Sequence, residues 1–150
     1  MYGTSVHNKF DIADSFNSYF CSIGQKLSRA IKIPNTPSPG EKYVNSKSIF
    51  LTPTNWKEIV DIIHSLQNGK CPGFDDITAE TLKSISWEIA EPLSYIINKT
   101  MEQGLCAQEF KLAVVKPLYK KGDVRMLSNY RPISLITNFT KVFAKVLKKR

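Results

Sequence analysis

Apolar residues recur every three or four positions through most of the chain, a pattern that predicts a largely helical protein. The first such stripe, residues 9–31, carries Phe16, Phe20, Ile23 and Leu27 on one side. We expect these side chains to belong to a hydrophobic core. Four further helices are predicted at about 55–68, 78–84, 87–102 and 138–150.

Capping signals define the ends of two of these helices. Asn55 can accept a hydrogen bond from a free N–H of the first turn, and Glu58 follows three residues later. Gly104 can end the helix that begins near residue 87. Because Pro92 lies inside that helical pattern, an alternative start near Glu91 is also open.

The stretch 112–136 departs from the helical pattern. A short apolar run is followed by a polar connection that contains Gly122, and a second ordered segment opens at Tyr130. This arrangement predicts an antiparallel hairpin, and hence an α+β fold that is mainly helical. If the strands pair, Lys120, Lys121 and Arg131 converge at one end, where a polyphosphate or nucleic-acid backbone could bind.

Proline and glycine divide the chain. Pro34, Pro37, Pro39 and Gly40 interrupt it after the first helix, and no sustained periodicity is found over 33–53. We therefore predict a helical N-terminal extension over 1–32, a linker or surface loop over 33–53, and a main segment over 54–150.

The charge of the chain is concentrated at one end. The net charge is +8, and residues 111–150 hold 11 Lys and Arg residues against a single acid, Asp123. The remaining residues are slightly acidic. This asymmetry favours an anionic partner for the last 40 residues, with nucleic acid as the first candidate and a merely solvated basic face as the alternative.

Other general features exclude some classes of protein. No apolar run approaches the roughly 18 residues that a membrane-spanning helix needs, and the N-terminus does not resemble a secretory signal. Cys21, Cys71 and Cys106 are scattered and are not spaced as metal ligands. We expect free, mostly buried thiols in an intracellular protein, nuclear or cytoplasmic and not secreted.

Two sequence blocks carry a resemblance to a known family. One consists of the run KPLYKKGD from Lys116 to Asp123, followed by NYRPISL from Asn129 to Leu135. The other, KCPGFDDI from Lys70 to Ile77, resembles the pattern K-x-P-G-x-D-x-I that precedes it. Together, and in this order, they resemble the reverse transcriptases of jockey-type non-LTR retrotransposons, over roughly residues 50–150.

The resemblance implies an RNA-directed DNA polymerase. The matching part is the fingers region of a right-hand polymerase, and the pattern ends before the palm domain. Arg131 then corresponds to the arginine that binds the incoming triphosphate, while Lys120 and Lys121 approach the triphosphate or the template. For Arg131 a salt bridge to an acid is the alternative, and for the two lysines a solvated loop charge.

The resemblance assigns no catalytic or metal-binding residue to this chain. Asp75 and Asp76 imitate the family's catalytic aspartate pair, but they precede the first polymerase block, and Asp76 is interpreted as a helix N-terminal residue. We therefore expect the chain alone to be inactive. Mg²⁺, a template–primer of RNA or DNA, dNTP and the missing palm domain are expectations for the complete enzyme.

Two other interpretations remain open from the sequence. The chain could be a non-catalytic RNA-binding or assembly module, a domesticated fragment of such a polymerase. It could also be an unrelated helical interaction domain, in which case both blocks match the family by coincidence.

Overall fold

The computed structural model describes residues 8–31 and 51–150. Within them the chain is mainly helical with one antiparallel sheet of two strands, so the expected α+β class is confirmed. Two short 3-10 turns, Gln108–Lys111 and Leu127–Asn129, precede the two strands. The helices are α1 (Lys9–Ala30), α2 (Trp56–His64), α3 (Ala79–Ser84), α4 (Ser86–Gln103) and α5 (Asn138–Lys148), and the strands are β1 (Ala113–Tyr119) and β2 (Tyr130–Ile136).

The described residues fall into two compact units. The first combines α1 with the tip of the hairpin, residues 117–133. The second contains residues 51–116 and 134–150, and therefore α2 to α5. The predicted linker 33–53 lies almost wholly outside the described residues. The predicted division into 1–32, 33–53 and 54–150 stays a prediction.

The hydrophobic core of the second unit is built from α2, α3, α4 and α5. The predicted apolar face of α2 is buried, and the Asn55 Oδ1 atom accepts a hydrogen bond from the Glu58 N–H at 3.0 Å, as the capping pattern predicts. Burial of this face drives α2 against its neighbours, because each buried Ile or Leu side chain contributes about 1.5–3 kcal/mol. The buried core consists of Ile59, Val60, Ile62, Ile63, Leu66, Ala79, Leu82, Ala90, Leu93, Ile97, Val142 and Val146.

Helix α4 continues through Pro92 without interruption. The alternative start near Glu91 is wrong, since the helix begins at Ser86. Proline removes one backbone hydrogen bond, but the same helix buries Leu93 and Ile97 in the core, and this packing outweighs the lost bond. Gly104 ends α4 in the left-handed conformation, with φ of +65°, as predicted.

Helix α3 is capped differently from the prediction. The interpretation of Asp76 as its N-terminal residue is wrong, because the Thr78 hydroxyl accepts the Thr81 N–H and the helix begins at Ala79. Asp76 lies in the preceding turn with φ of +54°. The acid of the first turn is Glu80, whose carboxylate also accepts the Gly69 N–H at 2.8 Å. Hydrogen bonds from backbone N–H groups hold the pKa of Glu80 below its usual value.

Helix α5 contributes its apolar side to the packing of the second unit. Val146 is fully buried, and the Phe143 ring stacks on Phe110, with centroids 5.2 Å apart. Phe139 also packs against the core, and Leu147 is 37% exposed.

Helix α1 covers less apolar surface than predicted. Its bounds match the prediction, and the Asn8 side chain accepts the Phe10 N–H at its start. Phe16 and Phe20 are half-buried, but Leu27 is exposed and no α1 residue is fully buried in the part of the chain that the structure describes. The expectation that this stripe lies in a core is therefore wrong for Leu27.

Two findings concern the environment of the chain. Cys21 and Cys71 are exposed and Cys106 is half-buried, so the expectation of buried thiols is wrong, although all three are free. Among the described helices, none combines the length and apolar character that crossing a bilayer requires.

Candidate nucleic-acid interface

The register of the hairpin tip follows from one hydrogen bond at the end of the strands. The Lys120 N–H donates to the Asn129 carbonyl at 2.9 Å, which places these two residues opposite each other. Counting back along both strands, Tyr119 faces Tyr130 and Pro117 faces Pro132. The tyrosine pair and the proline pair then occupy positions at which the backbone nitrogen points away from the partner strand. The prolines therefore cost the hairpin no cross-strand hydrogen bond.

The connection between the strands is closed by its own hydrogen bonds. Asp123 accepts through three bonds: its carbonyl from the Asn129 side-chain amide at 2.9 Å and from the Met126 N–H at 3.1 Å, and its carboxylate from the Arg125 N–H at 2.9 Å. The Tyr130 hydroxyl donates to the Val124 carbonyl at 2.9 Å. The acid in the KKGD run thus has a structural role, because it ties the loop together.

Gly122, in the same KKGD run, also has a structural role. Its φ is +95°, a conformation that L side chains rarely adopt. A Cβ atom there would lie 2.6 Å from the Asn129 side-chain nitrogen. The Tyr119 hydroxyl donates to the Gly122 carbonyl, and this bond fixes the backbone of the loop at Gly122. The two lysines before it are therefore carried by a defined loop.

The two faces of the hairpin tip differ in chemistry. Tyr119 and Tyr130 lie on one face, with ring centroids 5.5 Å apart, and the Tyr130 ring meets the edge of Phe16 of α1 at 4.8 Å. Lys120 and Arg131 alternate with these tyrosines along the strands, so they occupy the opposite face as diagonal neighbours. The aromatic face anchors the tip on α1, and the cationic face is exposed.

The structure places all three predicted cations in solvent. Lys120, Lys121 and Arg131 are exposed, and Lys121 lies in the loop two residues beyond the end of β1. In residues 8–31 and 51–150, the ion pairs join Glu58 to Lys149 and Arg150, and Lys99 to Glu102. The alternative for Arg131, a salt bridge, thus finds no acid among the residues described. What these cations bind stays a prediction.

Sequence reasoning missed the residues that position these cations. The two tyrosines, Phe16, Asp123 and Asn129 set the register and the loop. A signal was present, since a tyrosine stands immediately on each side of the loop. Aromatic residues directly opposite each other are a common cross-strand pair, and this symmetry could have fixed the register.

The sequence block 70–77 packs within the second unit. A Cβ atom on Gly73 would lie 2.6 Å from the Thr137 backbone nitrogen and 2.9 Å from the Ile136 carbonyl carbon. The Asn138 side-chain amide also donates to the Ile77 carbonyl at 2.7 Å. The block 70–77 therefore packs directly on the junction between β2 and α5.

The two acids of this block, Asp75 and Asp76, are neighbours in a turn. The Asp75 carboxylate accepts the Ile77 N–H at 3.3 Å, and Asp76 N–H donates to the Gly73 carbonyl at 3.4 Å in a tight turn. Over the described residues, no three His, Cys, Asp or Glu side chains gather as a metal site would require. The geometry of the pair is that of a turn preceding α3.

Comparisons with known proteins show which proteins the chain is similar to. No family model matches it. It is 29% identical over 100 residues, 66% of the chain, to an uncharacterized 149 kDa protein of transposon TX1 from Xenopus laevis. It is 29% identical over 69% of its length to a probable RNA-directed DNA polymerase from transposon BS, and 25% identical over 73% to the RNA-directed DNA polymerase from mobile element jockey, both from Drosophila melanogaster.

These relatives are much longer proteins. The matched part of the chain covers 8% of the TX1 protein and 12% of the BS and jockey proteins. The similarity nevertheless extends over two thirds or more of this chain and is not confined to the two short blocks. The resemblance to reverse transcriptases of jockey-type mobile elements is confirmed.

Proposed function

We propose that this chain, as a relative of the RNA-directed DNA polymerases of mobile elements, forms the fingers-type part of such an enzyme and contacts nucleic acid and nucleotide. The observation that carries the proposal is the exposed cationic face of the hairpin tip. Lys120 and Arg131 are diagonal neighbours there, and a hydrogen-bonded loop and an aromatic pair hold them in place.

The two kinds of cation suit two kinds of contact. The ammonium groups of Lys120 and Lys121 are point charges on flexible stems, suited to phosphates of a strand whose position varies. The guanidinium of Arg131 is planar and can bind two oxygens of one phosphate at once. We therefore assign Lys120 and Lys121 to the template or primer backbone, and Arg131 to the triphosphate of the incoming dNTP.

The proposal gives this chain no catalytic role of its own. Nucleotide transfer needs carboxylates that hold Mg²⁺ at the attacking and leaving oxygens. We assign no metal ligand to Asp75 and Asp76, since both lie in a tight turn and the Asp75 carboxylate already accepts the Ile77 N–H. In a complete enzyme, other segments, which we equate with the palm domain, would supply the metal ligands.

Salt dependence of RNA binding tests the contact to the strand. Binding of a fluorescent single-stranded RNA is measured by anisotropy at several salt concentrations. Each phosphate contact adds roughly 0.7 to the slope of log affinity against log salt on a single strand. Replacing Lys120 and Lys121 together by Ala should flatten the slope by up to about 1.4 and leave base preference unchanged.

A charge-matched variant controls for net charge. Lys26 and Lys57 are exposed lysines outside the hairpin, so replacing both by Ala removes the same charge elsewhere. This variant should keep the original slope. If both variants flatten the slope equally, the hairpin has no special role and the proposal fails.

A further inference from the structure

Five aromatic rings form a continuous row from α1 to the hairpin tip. Within α1, the centroid of the Tyr19 ring lies 5.6 Å from that of Phe20, and the Phe20 ring stacks on Phe16 at 5.7 Å. The row continues from Phe16 to Tyr130 at 4.8 Å and ends with Tyr119. All five residues belong to the first unit, so the row joins α1 to the tip within one compact body.

The hairpin tip depends on a packing partner of this kind. A hairpin of two strands is only marginally stable in water unless it packs against a helix or a further strand. Strand β1 is exposed along its whole length. In β2, Tyr130 is half-buried, whereas the next four residues are exposed. The packing of the tip on α1 is therefore concentrated at Tyr130.

The hold of α1 on the tip is limited in strength. No α1 residue among those described is fully buried, and Phe10 and Leu27, near the two ends of the helix, are largely exposed. Beyond the burial of its surface, an aromatic pair changes an equilibrium constant by about tenfold at most. Loss of the Phe16 ring should therefore shift the balance between docked and undocked α1 measurably.

The two tyrosines of the row are chain neighbours of two of the cations. Tyr119 precedes Lys120, and Tyr130 precedes Arg131. Successive side chains along a strand point to opposite faces, so a movement that lifts Tyr130 from Phe16 also redirects Arg131. Contact between the tyrosine rings and α1 thus fixes the direction of the cations on the other face.

We propose that α1 pre-organises the hairpin tip for binding nucleic acid, with Phe16 as the positioning residue that holds Tyr130. The inference rests on the proposed function of the hairpin cations and adds a condition to it, because only the docked tip presents Lys120 and Arg131 together. The apparent affinity for a strand then falls in proportion to the fraction of molecules in which α1 is docked.

Salt dependence separates positioning from charge. Binding of a fluorescent single-stranded RNA to the full chain is measured by anisotropy over a range of salt concentrations. Phe16→Ala removes no charge, and alanine favours helix. It should weaken binding about three- to tenfold at every salt concentration and leave the salt slope unchanged, in contrast to replacement of the lysines.

Two further variants of α1 complete this measurement. Phe16→Tyr keeps the aromatic ring and should retain the native affinity. Phe10→Ala removes the same side chain at a position of α1 that is 79% exposed, and it should also bind as the native chain does. Together they distinguish the contact with Tyr130 from a general effect on the helix.

Hydrogen exchange tests the same coupling from the other side. If strand binding requires docked α1, the strand must stabilise docking by the same factor, because coupling between two sites is reciprocal. Helices in proteins owe most of their stability to packing, so RNA should slow exchange of the α1 amides from Phe16 to Ile23. Replacing Lys120 and Lys121 together by Ala should reduce this effect. A purely structural role of Phe16 predicts no response of α1 to RNA.

Three outcomes would overturn the inference. Native affinity in Phe16→Ala would show that the tip keeps its geometry without this contact. Equal losses in Phe16→Ala and Phe10→Ala would show that the ring contact is not the cause, and α1 exchange that does not respond to RNA would show that docking and binding are not coupled. If replacing Lys120 and Lys121 leaves the salt slope unchanged, the proposed function itself fails. If that replacement flattens the slope while Phe16→Ala binds normally, only the inference about α1 fails.

Discussion

Arg150 and Glu58 form a two-pronged ion pair between the end of α5 and the first turn of α2. Arg150 Nη1 lies 2.7 Å from Glu58 Oε1, and Nη2 lies 2.9 Å from Oε2. Arg150 Nε also donates to the Thr52 carbonyl at 2.8 Å, and the Thr54 hydroxyl donates to Glu58 at 2.6 Å. The Arg150 side chain is only 7% exposed, so the Glu58 carboxylate, and not water, compensates its positive charge.

The pair predicts a loss of stability when Glu58 is neutralised. Glu58→Gln should lower the free energy of unfolding at pH 7 by about 1–3 kcal/mol, because it weakens charged hydrogen bonds and leaves a buried guanidinium without its counter-charge. Urea unfolding measures the change. Glu102→Gln removes one partner of the exposed Lys99–Glu102 pair and serves as the control, with no measurable change expected.

The same pair predicts acid sensitivity. The hydrogen bonds from Arg150 lower the pKa of Glu58 from its usual 4.5 to about 2. Since the folded pKa lies below the unfolded one, the contribution is complete above about pH 4.5 and is lost as the pH falls towards 2. The difference in stability between the native chain and Glu58→Gln should therefore shrink over that interval. A difference that stays constant from pH 7 to pH 2.5 would contradict this assignment.

Gly73→Ala should destabilise the second unit by about 1–3 kcal/mol. The new Cβ would meet backbone atoms of Thr137 at 2.6 and 2.7 Å, and backbone cannot move aside as a flexible side chain can. Thermal and urea unfolding measure the loss. Gly24→Ala is the control, because a Cβ at Gly24 of α1 meets nothing within 4 Å and alanine favours helix. Equal stability of the two variants would argue against the close packing of the block 70–77 on Thr137.

Gly122→Ala should loosen the hairpin loop. At φ of +95° an alanine is strained, and its Cβ would press on the Asn129 amide, so the Lys120–Asn129 bond should open more often. Hydrogen exchange of the Lys120 amide measures this directly, and faster exchange is expected. Gly69→Ala, with φ of +69° but open space around it, controls for backbone strain alone. Unchanged protection of Lys120 in Gly122→Ala would show that the loop does not need the glycine.

Arg131→Ala tests the assignment of the triphosphate. Placed at the matching position of a complete, active relative, this change should raise the apparent KM for dNTP more than it weakens template binding. Arg125→Ala changes another exposed arginine, which lies in the loop that precedes β2; it is the control and should affect neither strongly. If template affinity collapsed while the KM stayed constant, Arg131 would be a strand contact, and the interpretation as an RNA-binding module would gain support.

The sequence predicted local features better than packing. The Asn55 cap, the Gly104 stop and the hairpin depend on a few neighbouring residues whose conformational preferences are strong, and all three are found. The burial of α1 could not be predicted, because an amphipathic stripe does not say how much surface its partner covers. The partner of Phe143 was missed for the same reason, since Phe110 is distant in sequence.

The candidate site was only partly predictable. Clustered cations at the ends of a hairpin identified Lys120, Lys121 and Arg131. Their distribution over the two faces depends on the register, however, and this comes from a contact between strands that periodicity alone does not fix. The turn at Asp76 was misread because no local pattern marks its left-handed conformation, with φ of +54°. Gly73 of the same turn lies against Thr137, more than sixty positions away, and this contact could not be read from the sequence either.

The facing prolines of the hairpin also limit what can join it. A sheet of two strands has two open edges, and each can recruit a further strand through outward N–H groups. In this register Pro117 and Pro132 stand at outward-pointing positions, one on each edge, and neither has an N–H to offer. Each edge is thus interrupted near the cationic tip, which discourages edge-to-edge aggregation and leaves side chains as the means by which the tip recognises a partner.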